Sequence, residues 1–547
     1  MKSYTEEKRI RPDILTSVVF WSVVVIMIFK IIGNRIYGDL GSGFGAAPFA
    51  FFYMFYGCYV LAVQKAVWLM VRIRARRSQF LNAETNMKRS RRLFVFISFV
   101  TGALLAALSY VISKNLFGSG RGYLQFLIVA IMSLIFGAQG VYRGYLQGLG
   151  YTRPIVISDL LFAVTAAASG TVISVIMYFY GLKVNELFHV QEYSAIYGSI
   201  GSIIGLLIAS IICFIQIMIS FSIRKNEIAD IIKNGAPRYL DNKNDVISGI
   251  RPILYLYLTP AFMSLLSEGI YMAIHKKDAA GTELLLQYGM LSGKVFPVVT
   301  ALSVICCLPF IKTWNRVMAR IERDEYEVAR DRLKKLIRYS TVVFIPVTIV
   351  CLALSETINV ALFGKSNDTT NSLLTLAAPV IFLACLAVFG SWLMSHMGKS
   401  LLLVINLSVG WGVFVIGNIV FGVVLDLGLY GIVLTHIVSF LIYDIISFSM
   451  IFKMLKYRQE FMSTFLLPVA ASAAAGLVIY FINMIFVNLI GDALTLLICI
   501  LVFWIVYMLI IIALKRIKTY ELRFIPLGGV FHGIASRMQP EEYEEWN

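Results

Sequence analysis

Fourteen apolar stretches, each long enough to cross a bilayer, fill nearly the whole of this 547-residue chain. A hydrocarbon core about 30 Å thick takes roughly 20 residues of helix at 1.5 Å rise per residue. The stretches fall at 14–32, 47–70, 93–112, 123–146, 154–178, 195–221, 252–274, 282–311, 339–355, 372–395, 401–424, 431–454, 464–489 and 494–514. Most are apolar all round, whereas the strands of a membrane barrel alternate in polarity over about ten residues. Only 14% of residues are charged, far too few to coat a water-soluble protein of this size. The chain therefore reads as all-α, a polytopic membrane protein of about 14 transmembrane helices.

Charge sets the expected orientation. Most of the 48 Lys and Arg fall at the N-terminus, in the loops after even-numbered spans and in the tail, with clusters at 72–92, 224–251 and 312–338. The positive-inside rule then puts both termini in the cytoplasm of a plasma-membrane protein. A net charge of +17 is explained by basic loops beside anionic lipid headgroups, with no nucleic-acid partner. The first ten residues carry charges and no small-residue cleavage site, which predicts a retained anchor. The stretch 312–338 holds nine basic and five acidic residues and is expected to lie as a surface helix on anionic lipid. The tail ends in an acidic cap at 541–546, expected at the cytoplasmic surface.

Signatures of covalent chemistry are missing. Gly398, Lys399 and Ser400 come nearest to a phosphate loop, but Leu393 stands where its leading glycine belongs. The five His are scattered without helical metal spacing. All seven Cys lie inside spans, where they pack as small hydrophobes, and no CxxC occurs. No catalytic residue, metal or cofactor is expected, and the chain reads as a secondary transporter and not an enzyme. A receptor and a structural membrane protein are the alternatives.

An internal repeat supports transport. The stretch 145–157 (YLQGLGYTRPIVI) closes span four and opens span five; 248 residues on, 393–405 (LMSHMGKSLLLVI) closes span ten and opens span eleven. Gly150 matches Gly398 at the turn between helices. Long basic loops recur after spans two and eight. This spacing predicts two pseudo-symmetric six-helix lobes, 1–240 and 241–460, followed by two extra helices in 461–514 and a cytoplasmic tail, 515–547. Parallel repeats of this kind enclose a central cavity and permit alternating access.

The run YRGYLQGLGYTRP at 142–154 resembles the span-four exit of the multidrug/oligosaccharidyl-lipid/polysaccharide (MOP) flippase superfamily. Within it, the chain is most similar to the polysaccharide-biosynthesis branch that holds stage V sporulation protein B and the MurJ-type lipid II flippases. Further matches are YGMLSG at 288–293 with Pro297, LPF at 308–310, LFG at 362–364 and LRFIP at 522–526, spread over the whole length. The resemblance implies a V-shaped two-lobe bundle that moves polyprenyl-linked sugars across the plasma membrane. In the similar flippases, cationic side chains early in the chain contact the substrate's pyrophosphate, a part that falls here to Lys30 or Arg35.

Ionisable residues inside spans are costly in hydrocarbon, so they face a cavity, pair, or reach back to the interface. Lys294 lies about 18 Å from the outer edge of span eight at 1.5 Å per residue, too deep for its stem to reach water easily. Gly289 and Gly293 beside it let another helix or a ligand come close. Lys30, Lys65 and Arg143 sit nearer span ends, where snorkelling competes with a cavity role. Arg251, at the start of span seven, is either a first contact for substrate or a topology charge. Glu268 in span seven is expected to couple transport to a cation or to tune the cavity cations, at a depth that makes a direct pair with Lys294 doubtful. Asp159 and Asp444 fit helix packing as well as function.

The balance of sign separates the readings. Drug antiporters of this superfamily typically carry an acid in the first span; residues 14–32 hold no acid and one Lys. A cationic cavity suits a diphosphate, which ammonium and guanidinium groups bind through charge-assisted hydrogen bonds. The expected partners are a lipid-linked sugar substrate, membrane lipids and cell-wall synthesis proteins. A multidrug antiporter and a non-transporting scaffold for wall synthesis remain as alternatives.

Overall fold

The computed structural model describes residues 11–236, 245–276, 280–365, 367–397, 400–457, 459–514, 528–533 and 536. The tail run at 522–526, the acidic cap at 541–546, Gly398 and the side chain of Arg251 lie outside the described residues.

The described residues are almost all helical, joined by short turns. Its helices are α1 (Pro12–Arg76), α2 (Phe80–Asn115), α3 (Gly120–Gly148), α4 (Arg153–Phe188), α5 (Tyr193–Ile223), α6 (Lys225–Lys233), α7 (Asp245–His275) and α8 (Gly281–Ile321). There follow α9 (Tyr326–Ala353), α10 (Ser355–Phe363), α11 (Asp368–His396), α12 (Leu401–Val424), α13 (Gly428–Leu455), α14 (Met462–Ile490) and α15 (Asp492–Ala513). Thirteen of these are long and apolar enough to cross a membrane. The count differs from fourteen because α1 runs for 65 residues and contains both of the first two predicted spans. The connection expected between them is helical except at Gly38, where φ +72° and ψ −173° interrupt the run. Only glycine enters that region without a steric penalty.

Span eight also runs on past its predicted end. A 3-10 turn at Leu308–Phe310 leads straight into a helical segment, Ile311–Ile321, whose Ile311, Trp314, Val317, Met318 and Ile321 are buried. Trp314 stacks on Phe389 at 4.4 Å. The apolar face of this segment therefore packs on protein, not on lipid, while Lys312 and Arg316 on its other face are exposed.

Contacts divide the chain into two units, 1–297 with 400–435, and 298–399 with 436–547. In the first, helices approach along seams of small residues, since lipid tails give no hydrophobic drive for helices to associate and close packing must supply it. Gly140, Gly144 and Gly148 on α3 lie against the backbone or side chains of Tyr59, Gln64 and Val71 on α1. Gly201 and Gly205 on α5 lie against Ser174 and Gly170 on α4. Ser174 and Ser202 hydrogen-bond across that seam at 2.8 Å, a contact worth about 0.6 kcal/mol inside a membrane. The turn from α3 to α4 passes through Gly150 at φ +99°, the glycine singled out in the repeat. In the second unit α14 and α15 form a hairpin around Gly491, and the Tyr507 hydroxyl donates to the Val342 carbonyl of α9 at 2.9 Å. All seven cysteines are free and buried.

Candidate functional site

The break at Gly38 builds the site. Immediately after it, Asp39 turns its carboxylate toward α8. Lys294 Nζ donates to Asp39 Oδ2 at 2.8 Å, and Asn34 Nδ2, one turn earlier on α1, donates to Asp39 Oδ1 at 3.0 Å. Asn34 Nδ2 also reaches Ser42 Oγ at 2.9 Å. Both carboxylate oxygens are thus held, and the pair is largely enclosed, with side-chain exposures of 12% for Lys294 and 19% for Asp39.

Glycine makes this approach available. A Cβ on Gly289 would run into the Asp39 carbonyl oxygen, and one on Gly43 into the Leu285 carbonyl. A Cβ on Gly293 would meet the Asn34 amide at 2.6 Å. Ser292 Oγ then donates to the Ser42 carbonyl at 3.3 Å. The expectation of close approach at positions 289 and 293 matches this geometry. Lys294 itself sits in a π-helical turn, Leu291–Val295, which interrupts the α-helical ladder of α8. Turns of this kind are frequent at functional sites.

Glu268 on α7 occupies a second place in the same unit. It is fully buried, and neither oxygen completes a hydrogen bond of normal geometry among the described residues. The charge acting on it is the Lys30 ammonium, and the Ala47 backbone N–H is its other polar neighbour. Lys30 Nζ stands 5.0 Å from the Phe49 ring centroid. Glu268 lines a small hollow with Gly43, Ala47, Pro48, Ser113 and Phe126. Gly43 and Leu285 belong both to this hollow and to the α1–α8 contact beside Asp39. Lys294 and Glu268 thus have separate charge partners, in keeping with the doubt over a direct pair.

Arg143 is built into a third cluster. Its Nε donates to Gln64 Oε1 at 2.7 Å, Nη1 to Ser158 Oγ at 2.8 Å, and Nη2 to Asp159 Oδ1. Gln64 in turn donates to Gln147 at 2.8 Å. The guanidinium is 1% exposed. Lys65 lies over the Trp68 ring at 4.3 Å, and Arg35 is exposed. The structure thus gives the named cations different neighbours: Lys294 with Asp39, Lys30 near Glu268, Arg143 with Asp159, and Lys65 over Trp68. In the other unit Asp444 on α13 is buried with no hydrogen-bond partner for either oxygen among the described residues.

Two polar residues of the site, Asn34 and Asp39, carry no motif in the sequence. Their one signal was an acid directly after a glycine, inside what read as an outer loop.

No family model matches the chain, and no curated protein matches it by sequence. Its fold is that of known transporters. The lipid II flippase MurJ in an inward-closed conformation aligns with a TM-score of 0.59, over 91% of this chain and 97% of that one, at 18% identity. An inward-facing multidrug resistance MATE family transporter of the MOP superfamily gives 0.52 over 81% and 95%, at 14% identity. The eukaryotic MATE transporter AtDTX14 gives 0.52 over 80% and 94%, at 12% identity. The chain is a multi-pass, all-helical membrane protein with this MurJ/MATE transporter fold.

Proposed function

We propose that this chain, built on the MurJ/MATE transporter fold, is a flippase that moves a polyprenyl-diphosphate-linked sugar across the plasma membrane by alternating access. The cargo is a peptidoglycan precursor or a polysaccharide unit. The observation that carries this reading is Lys294, an ammonium inside an apolar helix, held by Asp39 at a glycine-lined approach of α1 to α8. A diphosphate binds such a group through charge-assisted hydrogen bonds while its lipid tail stays in the bilayer. Lys30 and Arg35 serve as further headgroup contacts, and Arg143 and Lys65 support the helices that carry them. Both termini face the cytoplasm, and the lobes 1–240 and 241–460 rock about the site. No covalent step is needed; the site has only to be reached from each side in turn and to release its cargo.

The test is depletion in the native host followed by mass analysis of lipid-linked intermediates. Build-up of one polyprenyl-diphosphate species, reversed by the wild-type chain and not by Lys294→Gln, supports the reading. No build-up of any such species overturns it.

A cation-coupled multidrug antiporter is the second reading, favoured by the buried carboxylate of Glu268 lining its hollow. It predicts sodium- or proton-driven efflux of a cationic dye from vesicles. A scaffold for cell-wall synthesis is the third, and predicts that neutralising Lys294 leaves the phenotype intact.

A further inference from the structure

The ion pair at the Gly38 break bears directly on how an empty carrier avoids idling. Lys294 donates to Asp39 Oδ2 at 2.8 Å, and Asn34 holds the other oxygen at 3.0 Å. An ammonium at this depth is costly without a counter-charge. In this structure Asp39 supplies it. The same contact draws α1 onto α8, where Gly43, Gly289 and Gly293 leave no room for an intervening side chain.

We propose that Asp39 is an internal stand-in for the substrate's phosphate: it occupies Lys294 until a lipid-linked diphosphate displaces it, so that cargo binding and release of the α1–α8 contact are one exchange. This inference rests on the flippase reading and adds to it a residue and a rule of selection. A diphosphate brings more charge and more acceptor oxygens than one carboxylate, so it competes well for the ammonium. A neutral lipid, or a cationic drug, brings nothing that Lys294 prefers to Asp39. The pair therefore selects for anionic headgroups and keeps the α1–α8 contact closed when none is present. Ser292 and Ser42, joined at 3.3 Å, are neutral and separate at little cost once the charges part. The π-helical turn around Lys294 adds a local freedom, because its backbone is already off the α-helical ladder.

The experiment measures binding of undecaprenyl diphosphate, with undecaprenol as the uncharged control, to the full chain in lipid nanodiscs. Wild type, Asp39→Asn, Asn34→Ala, Lys294→Gln and the double variant Asp39→Asn/Lys294→Gln are compared, each checked for folding by its melting temperature. Removing the competing charge weakens the hold on Lys294, so Asp39→Asn binds the diphosphate about tenfold tighter, the size of one net charge-assisted hydrogen bond. Asn34→Ala loosens the carboxylate without removing charge and moves affinity the same way by less, which keeps the test open if Asp39→Asn does not fold. Lys294→Gln loses binding in both backgrounds, and undecaprenol binding does not change. If wild type binds the diphosphate through Lys294 but neither Asp39→Asn nor Asn34→Ala binds it tighter, the stand-in idea is overturned and the flippase reading survives. If no variant with an intact Lys294 binds the diphosphate better than undecaprenol, both fall together.

Discussion

Breaking the Arg143–Asp159 pair tests how this fold tolerates a charge inside the membrane. The guanidinium is 1% exposed and its three named hydrogen bonds go to Gln64, Ser158 and Asp159. Asp159→Asn keeps the shape and removes the counter-charge. A buried ion left without its partner costs about 3–5 kcal/mol, because desolvation is no longer offset by Coulomb attraction. Replacing both members by apolar side chains, Arg143→Met with Asp159→Leu, removes the charge altogether. Gln64 keeps its Nε2 bond to Gln147, so the remaining loss is that of the donors to Gln64 Oε1 and Ser158 Oγ and the altered packing, about 1–3 kcal/mol. The double variant should therefore be more stable than Asp159→Asn alone. Denaturant unfolding in mixed micelles reads both numbers. If Asp159→Asn stays within about 1 kcal/mol of wild type, or the double variant is the less stable, the pair is not the buried unit described above. Transport by a stable double variant would place Arg143 among positioning residues, and its loss would assign the guanidinium to cargo.

The glycine seam at the site gives a sharper contrast. Gly289→Ala drives a methyl into the Asp39 carbonyl and is expected to cost about 1–3 kcal/mol and to abolish transport, whereas Gly412→Ala on α12 meets nothing within 4 Å and is expected to leave both unchanged; equal effects in a melting and transport assay would count against the α1–α8 contact. Outside the spans, the Lys334 ammonium at 2.7 Å and the Ser463 hydroxyl at 3.0 Å hold the Glu460 carboxyl below its ordinary range. A depressed folded-state value stabilises above the unfolded value of about 4.3 and loses that stability as pH falls through the folded one. The pair is exposed, so solvent screens it and the effect is small. Lys334→Ala should therefore lower the unfolding midpoint slightly at pH 7 and not at all near pH 3; a gap that persists in acid refutes the assignment.

The spans were legible because length and apolarity are enough to mark a membrane helix: twelve of the fourteen predicted stretches fall within a helix of the structure, while 339–355 crosses the break at Leu354 and 494–514 overruns its helix by one residue. Helix ends were less so. Ile311–Ile321 reads as part of a basic helix lying on lipid when charges are counted, yet its apolar residues recur at helical spacing and are buried in protein, with Trp314 stacked on Phe389. The depth of Lys294 followed from counting residues, and Gly289 and Gly293 pointed to a close neighbour. Which neighbour was hidden, because it depends on a single kink at Gly38, next to which residue 39 lies against residue 294. Arg143 and Asp159 each stand out as charged residues inside spans, but their pairing depends on the turn through Gly150. Lys30 and Glu268 lie on helices far apart in the chain, and no sequence spacing relates them.

The π-helical turn at Leu291–Val295 has a consequence for anyone comparing this chain with its relations. Such a turn is what a helix forms when it accommodates one surplus residue while its flanks keep their phase. A helical wheel drawn straight through α8 therefore misplaces everything on one side by about 100°. Loss of one residue between 291 and 295 is thus the indel that α8 would absorb most easily, and it would redirect the ammonium while leaving both flanks on their original faces. Relatives with a gap at this point should be sorted from those without one before their cargo is assumed to be the same.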